Sequence, residues 1–178
     1  MKKCWANHLG NCDGKITGEH IISNSILNRT VKIKGFPWCK NESKEIGSSS
    51  LVNNILCRKH NNELSVFDSE AKNFISVIDD FNIINNNFTR FGFRKKDLPI
   101  IHIINGKKFE RWCCKTLINI TLSQKNNILI ATDKVLPMIY KDEDFKEPYG
   151  LNFAISIGQK IDTKNCLMIV MVLRVIFW

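Results

Sequence analysis

The sequence predicts an α+β protein with a small metal-stapled module at residues 1–66 and a mixed α/β region at residues 67–178. Three observations carry this expectation. Four residues of metal-ligand character, Cys4, Cys12, Cys57 and His60, fall into two groups in the N-terminal third. Short apolar runs bounded by Gly, Asn and Ser lie between these groups and suit strands. Beyond them, Phe67, Ala71, Phe74, Ile75, Ile78 and Phe81 recur at helical spacing. A chain of 178 residues is long enough for one ordinary domain, or for a metal-stapled module leaning on a larger core, and too short for two large cores. With 44% hydrophobic and 24% charged residues it has globular composition, which excludes a disordered or fibrous chain.

Residues 1–18, with scattered Gly and Asn, predict loops around a tight turn at Asp13-Gly14. Residues 19–27 hold Ile21-Ile22 and then Ile26-Leu27, a strand entering a helical turn. Residues 31–50, with Gly35, Pro37, Gly47 and three consecutive serines, read as a long excursion. Residues 51–56 form a strand leading to Cys57. The helix from Phe67 has Ser65 and Asp68 as capping residues and ends at Asn85-Asn86-Asn87. A strand at residues 100–104 follows, with Asn105-Gly106 as its turn. A second amphipathic helix carries Phe109, Trp112, Cys113, Thr116, Leu117 and Ile120 on its apolar side. Residues 151–157 and 167–177 are expected to pair as strands.

The net charge of +9 and pI near 9.3 favour a polyanionic partner, because Lys and Arg near phosphates release condensed counterions. Residues 1–66 carry ten basic and five acidic side chains against sixteen and twelve in the remainder, so the N-terminal module is the more basic part. Seven cysteines, an odd number, with no secretory leader ahead of them, lead us to expect a reducing, cytoplasmic setting. The longest apolar stretch, residues 167–178, contains Arg174 and is shorter than the roughly 20 residues of a membrane span. No membrane association is expected. Walker-type phosphate loops, a Rossmann fingerprint and a nucleophile elbow are all absent from the sequence, which leaves nucleotide hydrolysis, dehydrogenase and serine-hydrolase chemistry without a motif.

Cys4, Cys12, Cys57 and His60 can form one tetrahedral site, since zinc takes four soft or borderline ligands and a closed site contributes folding free energy. The seven-residue gap between Cys4 and Cys12 leaves His8 as a rival ligand, and Cys39 as a replacement for one of the four. Between the two groups stands Gly18-Glu19-His20-Ile21-Ile22. A histidine on an exposed strand face can act as general base toward water, and a neighbouring carboxylate can reach a divalent cation if the strand twists or ends there.

Taken in order, Cys4, Cys12, Glu19-His20-Ile21-Ile22 and Asn53-Asn54-Ile55-Leu56-Cys57-Arg58-Lys59-His60-Asn61-Asn62 resemble the HNH, or His-Me finger (ββα-metal), endonuclease family. The resemblance covers residues 1–66. It implies a structural zinc held by Cys4, Cys12, Cys57 and His60, and a catalytic Mg²⁺ or Mn²⁺ held by Glu19 and Asn61. It further implies that His20 is the general base and that Asn53 or Asn54, with Asn54 preferred, fixes its imidazole. In an alternative register His60 itself holds the catalytic metal and zinc lacks a fourth partner. Glu19 stands where Asp is more frequent in the family, and the zinc spacing is long.

Lys32, Lys34, Arg58 and Lys59 are the candidate nucleic-acid contacts. Residues 31–40 alternate basic and apolar positions before Phe36 and Trp38, which suits either a backbone-tracking surface with aromatic platforms or an edge strand with a solvated face. Residues 90–96 form a second basic and aromatic cluster. His102 reads as a structural residue. The resemblance implies hydrolysis of DNA more than RNA, with a protein partner supplying target choice as in bacterial defence or restriction systems. The alternative is a catalytically inactive zinc-binding module that recruits nucleic acid or a protein. Oligomeric state has no signature in the sequence.

Overall fold

The computed structural model describes residues 4–91, 102–124 and 132–145. In chain order the elements are β1 (Ile16–His20), β2 (Thr30–Ile33), β3 (Lys44–Gly47), β4 (Val52–Cys57), α1 (Arg58–Glu63), α2 (Ser65–Phe91), α3 (Gly106–Gln124) and α4 (Thr132–Tyr140). Short 3₁₀ turns lie at Asn7–Leu9, Asn24–Ile26 and Ser48–Ser50.

β1 and β4 pair antiparallel, with Ile16 opposite Cys57, Thr17 opposite Leu56, Gly18 opposite Asn54, Glu19 opposite Asn53 and His20 opposite Val52. The register slips at Thr17/Gly18, so Ile55 is the extra residue of a β-bulge. Side chains directly opposite one another share a face and successive ones alternate. Glu19 and Asn53 therefore project to one side of the ribbon, while Gly18, His20, Val52 and Asn54 belong to the other.

β2 and β3 form a second antiparallel ribbon inside the segment expected to be an irregular excursion. The alternation identified there explains it: Val31 and Ile33 are half-buried while Lys32 and Lys34 are exposed, the two-residue period of a strand covered on one side. The start of α1 is tied to the loop before β1, with Arg58 N–H donating to Lys15 O (2.9 Å) and Lys59 N–H to Asp13 Oδ2 (3.1 Å).

α2 begins at Ser65 and runs to Phe91, through the three asparagines expected to end it. Residues 65–91 contain neither Pro nor Gly, and Asn costs a helix only about 0.7 kcal/mol or less per residue. Asp68 does not cap this helix; its carboxylate accepts from Ser23 Oγ and pairs with Lys115 Nζ at 2.7 Å. Residues 102–105 carry no strand, and Asn105 opens α3 instead of closing a hairpin. Its Oδ1 accepts the Lys108 N–H at 3.0 Å, satisfying a first-turn donor that would otherwise have no partner. No expectation from the sequence covered α4, which contains Pro137 and is held to α3 by Arg111. That guanidinium donates to Met138 O (2.6 Å) and pairs with Asp142 (2.8 Å). The strands expected at 151–157 and 167–177, and residues 92–96 of the second basic cluster, lie outside the described residues.

α3 is the central element, buried on nearly every side between Arg111 and Thr121. Its Phe109, Trp112, Cys113 and Ile118 join Cys4, Trp5, Leu56, Cys57, Leu64, Phe67, Leu136 and Ile139 in one hydrophobic cluster. Residues on both sides of the expected boundary at 66/67 thus share a single core. A smaller cluster of Ile21, Phe36, Cys39 and Leu51 lies under the β2–β3 ribbon.

Candidate metal centre and the His20 strand end

The wide spacing between Cys4 and Cys12 is taken up by a compact detour. Asn7 N–H donates to Cys4 O and Gly10 N–H to Asn7 O, and Gly10 adopts φ 75°, a left-handed conformation that glycine takes without penalty. This returns the chain so that Cys12 comes back beside Cys4. Cys57 ends β4, and His60 lies one helical turn later in α1.

The three Sγ atoms and the His60 Nδ1 lie within 4.8 Å of one another. Nδ1 is 3.4 Å from Cys4, 3.6 Å from Cys12 and 3.2 Å from Cys57. One nitrogen lone pair cannot accept three thiol protons, so hydrogen bonding does not account for this convergence. A tetrahedron with zinc's usual bond lengths places N and S roughly 3.6 Å apart, close to the distances found. His60 Nε2 meets Asn11 Oδ1 at 2.7 Å. An amide oxygen only accepts, so the proton sits on Nε2 and Nδ1 keeps its lone pair for a metal.

Burial pushes the Cys4 thiol up, and desolvation with the neighbouring sulfurs of Cys4 and Cys57 pushes Cys12 up to about 12. Burial also lowers His60, favouring the neutral imidazole a metal requires. Three crowded sulfurs ionise together only beside a compensating cation. Cys4, Cys12, Cys57 and His60 are thus a Cys₃His cluster able to hold a metal such as zinc. Tyr140 of α4 covers it, with its OH donating to His60 O (3.2 Å) and its ring edge-on to the imidazole at 5.2 Å. Trp5 packs against the same tyrosine at 6.0 Å.

The two rival ligands are elsewhere: His8 is exposed on its 3₁₀ turn, and Cys39 is buried in the smaller cluster with Ile21 and Phe36. The register in which His60 belongs to the soft-ligand site is the one this geometry supports.

At the other end of β1 the arrangement departs from expectation. Glu19 is 4% exposed, and its Oε1 accepts from Lys115 Nζ (2.8 Å) and Asn119 Nδ2 (3.1 Å). Lys115 is fully buried and also pairs with Asp68, while Ser23 Oγ donates to Asp68 and accepts from Trp112 Nε1 (2.7 Å). Burial raises the Glu19 carboxyl against the pull of the Lys115 ammonium. Glu19 therefore does not fit the role of ligand to a catalytic Mg²⁺ or Mn²⁺. The Lys115 ammonium already neutralises this carboxylate, which is buried against α3 and not at the surface.

His20, the last residue of β1, is half-buried. Its Nδ1 is sealed from solvent without a hydrogen-bond partner. Asn119 Nδ2 donates to His20 O (3.2 Å), holding the strand end against α3. Asn61 Nδ2 donates to Gly18 O (3.0 Å) and Thr17 Oγ1 (3.1 Å), which leaves Oδ1 as its ligand-capable atom. Asn54 belongs to His20's face of the ribbon but makes no hydrogen bond to it, so the expected clamp on the imidazole is not formed. Asn53 faces the other way and donates to Ser123 Oγ (3.0 Å).

Of the candidate nucleic-acid contacts, Lys32, Lys34 and Lys59 are exposed, whereas Arg58 shares its charge with Asp13 at 3.4 Å. Sequence reasoning missed Lys115, Asn119 and Ser123, the polar stripe by which α3 grips the ribbon. Their spacing of four residues, continuing the Trp112 side of the helix, was the available signal. Asn11 and Tyr140 had no signal, because their roles depend on contacts far along the chain.

No family model, curated protein or solved structure matches the chain.

Proposed function

We propose that the chain is an HNH-type endonuclease that hydrolyses phosphodiester bonds of DNA, with zinc as its structural metal. One observation carries the reading: an antiparallel β1–β4 ribbon runs straight into α1, and a Cys₃His cluster staples that junction while His20 and Asn61 flank the same strand. Two antiparallel strands leading into a helix beside a Cys/His cluster support the reading that the order of motifs in the sequence implies. Residues 1–66, with ten basic and five acidic side chains, supply a field that attracts a phosphate backbone.

In this reading His20 Nε2 removes a proton from water, the hydroxide attacks phosphorus, and the P–O bond to the leaving oxygen breaks in line. Asn119 and the smaller hydrophobic cluster hold the backbone of the strand end that carries the imidazole. Exposed Lys59 at the start of α1 contributes charge toward the phosphate. No step is assigned to Glu19.

The burial of Glu19 against Lys115 favours a second reading, a zinc-stapled module that binds nucleic acid or a protein partner without cutting. One comparison separates the two. Supercoiled plasmid is incubated with wild-type protein and with His20→Ala in buffer containing Mg²⁺ or Mn²⁺. Nicking by wild type that falls at least about 100-fold in the variant supports the endonuclease. Equal nicking by both, or none by either, refutes it in favour of the binding module.

A further inference from the structure

The turn joining β2 to the rest of its ribbon carries an aromatic pair with an unusual distribution of exposure. Phe36 is 6% exposed and belongs to the cluster with Ile21, Cys39 and Leu51, while Trp38, two residues on, is 47% exposed. The rings stack at 5.0 Å between centroids with an interplanar angle of 23°. One face of the indole therefore rests on an anchored phenyl ring, and its exposure lies on the opposite face and edges.

The turn beneath is closed by two backbone hydrogen bonds. Gly35 N–H donates to Cys39 O (3.0 Å) and Cys39 N–H to Phe36 O (2.8 Å). Gly35 has φ 90°, a conformation other residues rarely adopt, and Pro37 fixes its own φ between the two rings. Holding a large apolar ring open to water forgoes the burial that aromatic side chains normally obtain.

Charge decides what such a ring would meet. Residues 29–47 hold five basic residues, Arg29, Lys32, Lys34, Lys40 and Lys44, against two acidic ones, Glu42 and Glu45. The four lysines are exposed, and among the described residues none of them has an ion-pair partner within 4 Å. A flat aromatic face in a segment with exposed lysines on both sides of it in sequence matches a base with its own phosphates on either side. A paired duplex offers only base edges in its grooves, so the base in contact must be unstacked.

We infer that Trp38, propped on Phe36, is a stacking platform for an unpaired base of a single-stranded or locally opened nucleic acid, with Lys34 and Lys40 taking the flanking phosphates. The inference rests on the nucleic-acid reading above and adds the form of the substrate. Ile21 lies in the cluster that holds Phe36, so the platform packs against the residue next to His20.

The test uses full-length, zinc-loaded protein without added divalent ions, so that nothing is cut. Fluorescence anisotropy compares a labelled oligothymidylate with a duplex of equal length. Trp38→Ala is expected to weaken single-strand binding roughly tenfold, with Trp38→Phe close to wild type. Duplex binding, carried by the lysines, is expected to stay within about twofold. Oligothymidylate should also quench tryptophan emission in wild type, and this quench should be lost in Trp38→Phe, a readout that does not require the alanine variant to fold. Single-strand affinity unchanged in Trp38→Ala, or an identical quench in Trp38→Phe, overturns the platform and leaves the surface to a protein partner. Failure of the nuclease reading looks different: no plasmid nicking, with Trp38-dependent single-strand binding intact.

Discussion

Replacing Lys115 with Met tests whether the N-terminal ribbon is held to α3 by charge. In the native chain the ammonium is fully buried and lies 2.8 Å from Glu19 and 2.7 Å from Asp68. Methionine fills a similar volume but leaves Glu19, 4% exposed, as a buried carboxylate beside a second one. Breaking a buried ion pair from one side costs about 3–5 kcal/mol. We expect the lower end, about 3 kcal/mol, because the Asp68 side chain keeps 31% of its exposure and Asn119 still donates to Glu19. For a chain of this size that corresponds to a fall in Tm of about 6–12 °C.

The pH dependence carries the diagnosis. Burial already raises the Glu19 carboxyl in the folded state, and removing Lys115 removes the main influence that lowers it. A carboxyl whose folded pKa lies above its unfolded value is most compatible with the fold when protonated. That stability is present in full below the unfolded pKa and is lost as pH rises through the folded one. The deficit of Lys115→Met relative to wild type should therefore be largest near about pH 8 and shrink toward about pH 5. Urea melts of both proteins at each pH measure it, and taking the difference at each pH cancels any effect of acid common to both. A deficit below about 1 kcal/mol, or one that does not change with pH, would refute the reasoning.

Metal analysis is expected to find about one zinc per chain, lost in Cys57→Ser and in His60→Ala; wild-type protein purified without any bound metal would count against the Cys₃His site. Asn11→Ala should keep the ligands but lower zinc affinity about 10–100-fold in competition with a chelating indicator, since Asn11 Oδ1 orients the His60 ring. Asn105→Ala should cost about 1 kcal/mol in thermal melts with zinc content unchanged, as expected for loss of the α3 cap; no measurable change would mean that the cap is dispensable.

The sequence by itself determined the parts whose chemistry depends on residue type and local spacing. Cys4, Cys12, Cys57 and His60 were legible as one candidate site, with His8 and Cys39 as rivals that only the geometry set aside. A 3.6-residue hydrophobic period marked the start of α2 and the body of α3, and a short run with apolar ends before Cys57 marked the strand at 51–56. The same local reading failed at Asn85-Asn86-Asn87 and at Asn105-Gly106. Asparagine is compatible with turn, cap and helix interior alike, and neighbouring structure chose among them.

Only the tertiary structure decided the fate of Glu19. In sequence it sits beside His20 as a carboxylate free to meet a cation, yet strand alternation turns it to the opposite face, where Lys115, 96 residues away, takes it up. Burial, pairing and the choice between ligand and salt bridge depend on which distant segments meet, and such contacts have no local period to read. For the same reason Trp38 looked like one aromatic among several until its stack on Phe36 separated a ring kept at the surface from the ring that supports it.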